Sequence, residues 1–163
     1  MEINIKIEKF TAIDFSHYFK LVNDENVMAM ITERAIEKPE AEKNFEKIIE
    51  NNSLDKNFGS FKIIDTETNE FVGLAKLEIK STIDTEAELG YMILPKYWGR
   101  GIAGKVGKLL IESAKEQKNL IKLFAIIDPK NTPSRKILTN NGFISIEFKD
   151  FDGLPGEVLE LIL

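Results

Sequence analysis

The sequence predicts a mixed α+β domain, and three observations lead there. Short runs with alternating or nearly continuous apolar residues, the mark of strands, recur along the chain. Other stretches repeat their apolar residues every three or four positions, as helices do, and Gly, Pro, Asn and Asp punctuate the boundaries. At 163 residues with 43% hydrophobic side chains there is material for one core, so a single domain over 1–163 is expected.

Taken in order, Ile3, Ile5 and Ile7 alternate with polar residues as on a half-buried first strand. Helical pieces and a loop fill about 11–38, and Pro39 opens a helix whose Ala41, Phe45, Ile48 and Ile49 share one face. FGSFKIIDTETNEFVGLAKLEIK reads as a hairpin around the polar turn from Asp65 to Asn69, and another strand runs from about Thr85 to Leu94. Ile102, Val106, Leu109 and Leu110 recur at i, i+4, i+7 and i+8, so a helix begins at the glycines before them and reaches about Lys118. IKLFAII is a buried strand ended by Asp128 and Pro129. A short helix follows from about Thr132 to Asn140, stopped by Asn141 and Gly142. The tail FISIEFKDFDGLPGEVLELIL reads as two strands joined by the Asp152-Gly153 and Pro155-Gly156 turns.

Composition removes several chemistries. A formal net charge of -5 argues against nucleic acid as partner, whose binding rests on Lys and Arg neutralising phosphates; a cationic small molecule or a protein amine suits it better. Without cysteine there is no disulfide, thiolate–zinc site or acyl-cysteine intermediate. The single histidine, His17, reads as an ordinary helix residue. MEINIKIEKF lacks the basic-then-apolar layout of a signal peptide, and no apolar run approaches membrane-spanning length, so a cytoplasmic location is expected.

GRGIAGK, at Gly99–Lys105, is where a ligand is to be sought. Gly99, Gly101 and Gly104 spell a dinucleotide fingerprint; Gly99, Gly104 and Lys105 spell most of a Walker A loop. Both use one mechanism, in which unpaired amides at a helix N-terminus meet phosphate oxygens that glycines admit. Walker A chemistry needs Ser or Thr after the lysine to hold magnesium, and Val106 stands there. The dinucleotide reading fails because Pro95, Lys96, Tyr97 and Trp98 separate the strand from the first glycine and the rest of the chain cannot supply the parallel strands.

ELGYMILPKYWGRGIAGK resembles the coenzyme A loop of the GNAT family of N-acetyltransferases, in the subgroup of ribosomal-protein N-terminal acetyltransferases. The family signature is Q/R-x-x-G-x-G/A; Trp98 stands at the Gln/Arg position, Gly101 at the first glycine and Ala103 at the Gly/Ala position. A second block, Asn-x-x-Ala/Ser leading to Gly-Phe, matches Asn131, Ser134 and Gly142-Phe143. The resemblance is strong over about 84–143 and weak before 55. It implies a twisted, mostly antiparallel sheet with helices on both faces, in which the strands near 85–94 and 121–127 splay apart to admit acetyl-CoA. The pantetheine arm would pair with the backbone of Met92, Ile93 and Leu94. The pyrophosphate would meet the amides of Trp98, Gly99, Arg100, Gly101, Ile102, Ala103 and Gly104. Asn131 would bind the pantetheine amides, and the side chains of Arg100, Lys105, Lys130 and Arg135 lie near the coenzyme phosphates. No metal is implied. Gly90, inside a strand, marks a bulge or a close backbone approach, or simply a weak strand position.

By family position the carboxylate that takes the amine's proton is Glu88, whose other reading is a strand Glu or ion-pair partner. Many relatives protonate the leaving thiolate with a helix Tyr, but that position is Leu138 here. Ser134, or else Tyr91, is left as the acid, and Ser134 has a second reading as a helix cap. The expected activity is direct acetyl transfer from acetyl-CoA to a primary amine of a protein N-terminus, amino acid, polyamine or antibiotic, by a monomer or homodimer; a non-catalytic coenzyme A-binding module is the alternative. The acceptor would meet the segments near Met28 to Lys38 and Lys149 to Pro155, where Glu33, Asp150 and Asp152 are candidates to attract a cation.

Overall fold

The computed structural model describes residues 2–163. In β1 (Ile5–Lys9) the two isoleucines are half-buried while Lys6 and Glu8 face water. Helices α1 (Phe15–Val22), α2 (Glu25–Met28) and α3 (Lys38–Asn52) follow. Asp24 starts α2 by accepting from the amides of Asn26 and Val27 at 2.8 and 3.1 Å, satisfying donors a helix start leaves free. Pro39 lies in the first turn of α3, whose Ala41 and Phe45 are buried.

The hairpin of β2 (Gly59–Asp65) and β3 (Phe71–Glu78) turns where expected: Asp65 accepts from the amides of Glu67 and Thr68, and Asn69 takes the left-handed φ of 61° that asparagine tolerates. The chain continues through β4 (Glu86–Ile93), α4 (Ile102–Lys115), β5 (Lys122–Ile127), α5 (Thr132–Asn140), β6 (Ile144–Phe151) and β7 (Leu154–Ile162). Among the described residues the strands make one sheet in the order β1-β2-β3-β4-β5-β7-β6, antiparallel throughout except where β4 meets β5.

Alternation along the strands divides the core in two. Leu89 and Leu123 pack under α4 with Val106 and Leu110. On the other face Leu74 joins Phe10, Leu21 and Phe45 under α1 and α3. His17 is half-buried in α1 with its ring 4.6 Å from that of Phe71, and burial pushes its imidazole below the usual value.

Three local expectations change. Pro155 and Gly156 form no turn; they lie within β7, opposite Asp150 and Lys149. Asp152 and Gly153 make the turn alone, with φ of 52° and 90°, the doubly left-handed pair of a tight hairpin. Gly156 is instead the seat of the Phe151 ring, which a Cβ there would strike at 2.3 Å. Gly90 makes no bulge: the β3–β4 register passes through it unbroken, opposite Lys76. Finally, α4 ends at Lys115, short of Lys118. No helix of the described residues is long and apolar enough to cross a membrane.

Candidate active site

The site begins as a seam in the sheet. β4 keeps β3 as its partner up to Ile93, and β5 keeps β7 along its whole length. The two meet only through Glu86↔Lys122, Ala87↔Leu123 and Glu88↔Phe124. Past Glu88 they part, leaving the β5-facing edge of Leu89 to Ile93, Met92 included, without a strand partner. A cleft of about 820 Å3 fills the gap and reaches both faces of the sheet.

One end of the cleft is the glycine loop. After β4, Leu94 leads into a tight turn over Pro95–Tyr97. The Trp98 indole then donates to the carbonyl of Ile93 at 2.8 Å, so that carbonyl already has a protein partner. Gly99 and Gly101 take φ of 78° and 74°, and Gly101 caps α4 with no side chain bonded to the helix start. The amides of Ile102, Ala103 and Gly104 precede the first helical bond, from Lys105 to Gly101, and no acidic residue stands in that turn. A Cβ placed on Gly99, Gly101 or Gly104 would meet nothing within 4 Å, so protein packing does not explain these glycines. Positive φ accounts for the first two, whereas Gly104 is helical and costs helix stability.

Gly104→Ala is therefore expected to raise the melting temperature of the ligand-free protein, by about 0.5–1 kcal/mol of helix stability. It should also weaken coenzyme A, because a methyl group now stands over amides that an anion must approach. Calorimetric titration checks the second half. Unchanged affinity removes this turn from the site.

The predicted cations divide. Arg100 is exposed, its guanidinium 5.9 Å from the Tyr97 ring. Lys105 instead donates to the carbonyl of Ile3 at 2.7 Å and pairs with Glu2 at 2.8 Å. Arg135 is bound to Glu157, with Nε–Oε1 at 3.0 Å, and to the carbonyl of Pro129. Glu157 is only 2% exposed, and the guanidinium holds its carboxyl below the usual range. A buried carboxylate requires such a partner. The structure thus gives Lys105 and Arg135 structural partners where the sequence points them at coenzyme phosphates.

Glu88 and Tyr91 lie on opposite faces of β4. Glu88 lines the α1–α3 side, where Lys76 Nζ pairs with it at 3.1 Å, both side chains being about a quarter exposed. Register sets Glu78 directly across from Glu88 and Lys76 across from Gly90. A Cβ on Gly90 would come 3.3 Å from Lys76 Cε, so the bare glycine leaves the lysine room to reach Glu88. On the other side the Tyr91 hydroxyl donates to Ser134 Oγ at 3.2 Å. Burial pushes the Tyr91 phenol up, partly offset by that bond, so it stays protonated at neutral pH. Asn131 caps α5, its side-chain oxygen accepting from the Ser134 amide at 3.2 Å. Leu138 is buried beneath, at 3% exposure.

Sequence reasoning missed Lys76 and Glu78. The signal was present: two charged residues, Lys76 and Glu78, follow buried Leu74 on the same face of the strand. It also pointed the acceptor side at Glu33, Asp150 and Asp152, none of which lines the cleft. Among the described residues no group of three or more His, Asp or Glu is arranged to hold a metal ion.

A split sheet, a glycine-led helix N-terminus at one end of the split and a carboxylate on its opposite side make a cleft suited to a phosphate-bearing ligand. The comparisons narrow the class. The family model described as an acetyltransferase (GNAT) domain matches residues 4–144, and the chain belongs to that family. It is 28% identical over 118 residues to the uncharacterized N-acetyltransferase p20 of Bacillus licheniformis, a match spanning 72% of this chain and 66% of that protein, just under two thirds of its length. The fold matches a GNAT-family acetyltransferase from Bacillus anthracis with a TM-score of 0.79 at 19% identity, over 99% of this chain and 98% of the other. It also matches RimL, a ribosomal L7/L12 α-N-protein acetyltransferase solved with coenzyme A, with a TM-score of 0.78 at 14% identity, over 98% and 94% of the chains. The mostly antiparallel sheet with helices on both faces and a splayed strand pair is therefore the fold of this family.

Proposed function

We propose that the protein transfers the acetyl group of acetyl-CoA to a primary amine by direct attack within a ternary complex. The observation that carries this reading is the seam between β4 and β5, which joins the α4 N-terminus, Glu88 and the Tyr91–Ser134 pair in one cleft. The diphosphate lies on the amides of Gly99 to Gly104 with Arg100 beside it, and the pantetheine arm follows Met92, Ile93 and Leu94, with Asn131 within reach. The amine nitrogen attacks the thioester carbon, the carbon–sulfur bond breaks, and the nitrogen's proton passes to Glu88, directly or through water. A backbone N–H of the unpaired edge near Met92 or Ile93 meets the carbonyl oxygen as charge develops on it. The leaving thiolate is stabilised by hydrogen bonds from the Tyr91–Ser134 pair and takes its proton from solvent. The sequence blocks between 84 and 143 resemble those of acetyltransferases of ribosomal N-termini but leave the acceptor open.

Coenzyme A should raise the melting temperature through selective binding to the native state, worth about 2.7 kcal/mol at one hundred times Kd. NAD and magnesium-ATP should leave it nearly unchanged; either of them stabilising the protein more than coenzyme A would overturn the reading. Leu138, where many relatives carry a tyrosine, favours one rival: a module that binds the coenzyme without turning it over. Thiol release from acetyl-CoA with an amine present separates the two.

A further inference from the structure

We infer that the acceptor is a small primary amine carrying a single positive charge on an apolar skeleton, a proposal that rests on the acetyl-transfer reading above. Beyond Glu88, the α1–α3 side of the cleft is walled mostly by apolar side chains, Val27, Met30, Ile31, Leu74 and Ile126 among them, with Tyr18, Asn26 and Ser60 as its neutral polar groups. Met30, Ile31 and Ile126 are 40%, 43% and 37% exposed. Large apolar side chains left open around a concave site mark a surface that gains by being covered.

The charge on this side is small and local. Its ionised groups are Glu78, Glu88 and Lys76, with Lys76 and Glu88 paired at 3.1 Å, so the floor carries one net negative charge. One ammonium neutralises it. A second or third ammonium, as on a polyamine or an aminoglycoside, would lie against the apolar wall without a counter-charge, which is costly once water is displaced. Glu33, Asp150 and Asp152 do not line the cleft.

The turn at the edge of this wall offers a peptide main chain few donors. A bound main chain must find partners for its amides and carbonyls. The turn that carries Met30 and Ile31 has spent its donors, because the amides of Ile31, Thr32 and Glu33 all bond the carbonyl of Met28 at 3.0–3.1 Å. The Thr32 hydroxyl is likewise bonded to the carbonyl of Arg34. The cleft must house the pantetheine arm as well, so only part of its volume remains for the acceptor.

The test measures thiol release from acetyl-CoA with hexylamine and phenethylamine, spermidine, an aminoglycoside, and a peptide with an apolar first residue. The monoamines should show the highest kcat/KM, by roughly tenfold or more, the scale on which apolar pockets discriminate. Ile31→Glu, which alters an exposed side chain and adds a charge at the mouth, should move the ratio of spermidine to hexylamine several-fold toward spermidine. Preference for spermidine, the aminoglycoside or the peptide overturns the inference and leaves acetyl transfer standing, as does a ratio that Ile31→Glu fails to move. No thiol release with any amine, from a protein that coenzyme A still stabilises, overturns both.

Discussion

Glu88→Gln should slow turnover of an alkylamine by on the order of 10²-fold or more at pH 7, the usual scale of general-base catalysis. The reason lies in the acceptor's ionisation. An alkyl amine with a pKa near 10.4 is neutral in only about one molecule in 2,500 at pH 7, whereas an α-amine near 8 is neutral in roughly one in ten. A base that takes the proton inside the cleft therefore matters most for the first kind. The loss should shrink as pH rises toward the amine pKa, because solvent then supplies the free base. Coenzyme affinity should hold, since the coenzyme contacts proposed here lie further along β4 and in the glycine loop.

The Lys76 ion pair provides the competing account, in which Glu88 only holds Lys76 in place. Lys76→Met separates the two. If the carboxylate is the base, removing the lysine leaves activity within a few-fold of wild type. If the pair is structural, Lys76→Met and Glu88→Gln should do similar damage. A Glu88→Gln pH–rate profile parallel to wild type, or full activity at pH 7, would mean that the proton leaves by another route.

How much of this was legible depends on whether the signal is local. Helix α5 was read at its true ends because Asn131, Pro133, Asn141 and Gly142 each act within a turn of their own position. The glycine loop was legible for the same reason: a left-handed φ at Gly99 and Gly101 restricts residue type directly. Lys76 and Glu78 reach the site by strand register, and the Val27–Ile31 wall arrives there by packing across the sheet; neither leaves a mark on neighbouring residues. The Arg135–Glu157 pair was not legible because a basic residue at a helix start looks the same whether it awaits a phosphate or a glutamate 22 positions away. The tail offered two turn signals within five residues, and the Phe151 ring over Gly156 took one of them for packing.

Tyr91→Phe should reduce kcat by on the order of 10- to 10²-fold, since a hydrogen bond to a charged group is worth about 1.5–3 kcal/mol. A larger loss is not expected. Burial raises the Tyr91 pKa above its ordinary value near 10, so complete transfer of its proton to an alkyl thiolate, the weaker base, runs uphill. The pair instead stabilises the leaving thiolate through hydrogen bonds, with Ser134 Oγ bridging Tyr91 and the cleft. Ser134→Ala should then cost about as much as Tyr91→Phe, and the double variant little more than either alone, because residues that act as a unit are non-additive. The structural contribution can be read separately: losing one neutral hydrogen bond costs only about 0.5–1.5 kcal/mol in stability. KM for acetyl-CoA should stay near wild type, placing the defect in the chemical step. Additive losses would mean that the two hydroxyls act apart. Full activity in both single variants would mean that the thiolate leaves without an acid, which the buried, apolar Leu138 would then leave unaided.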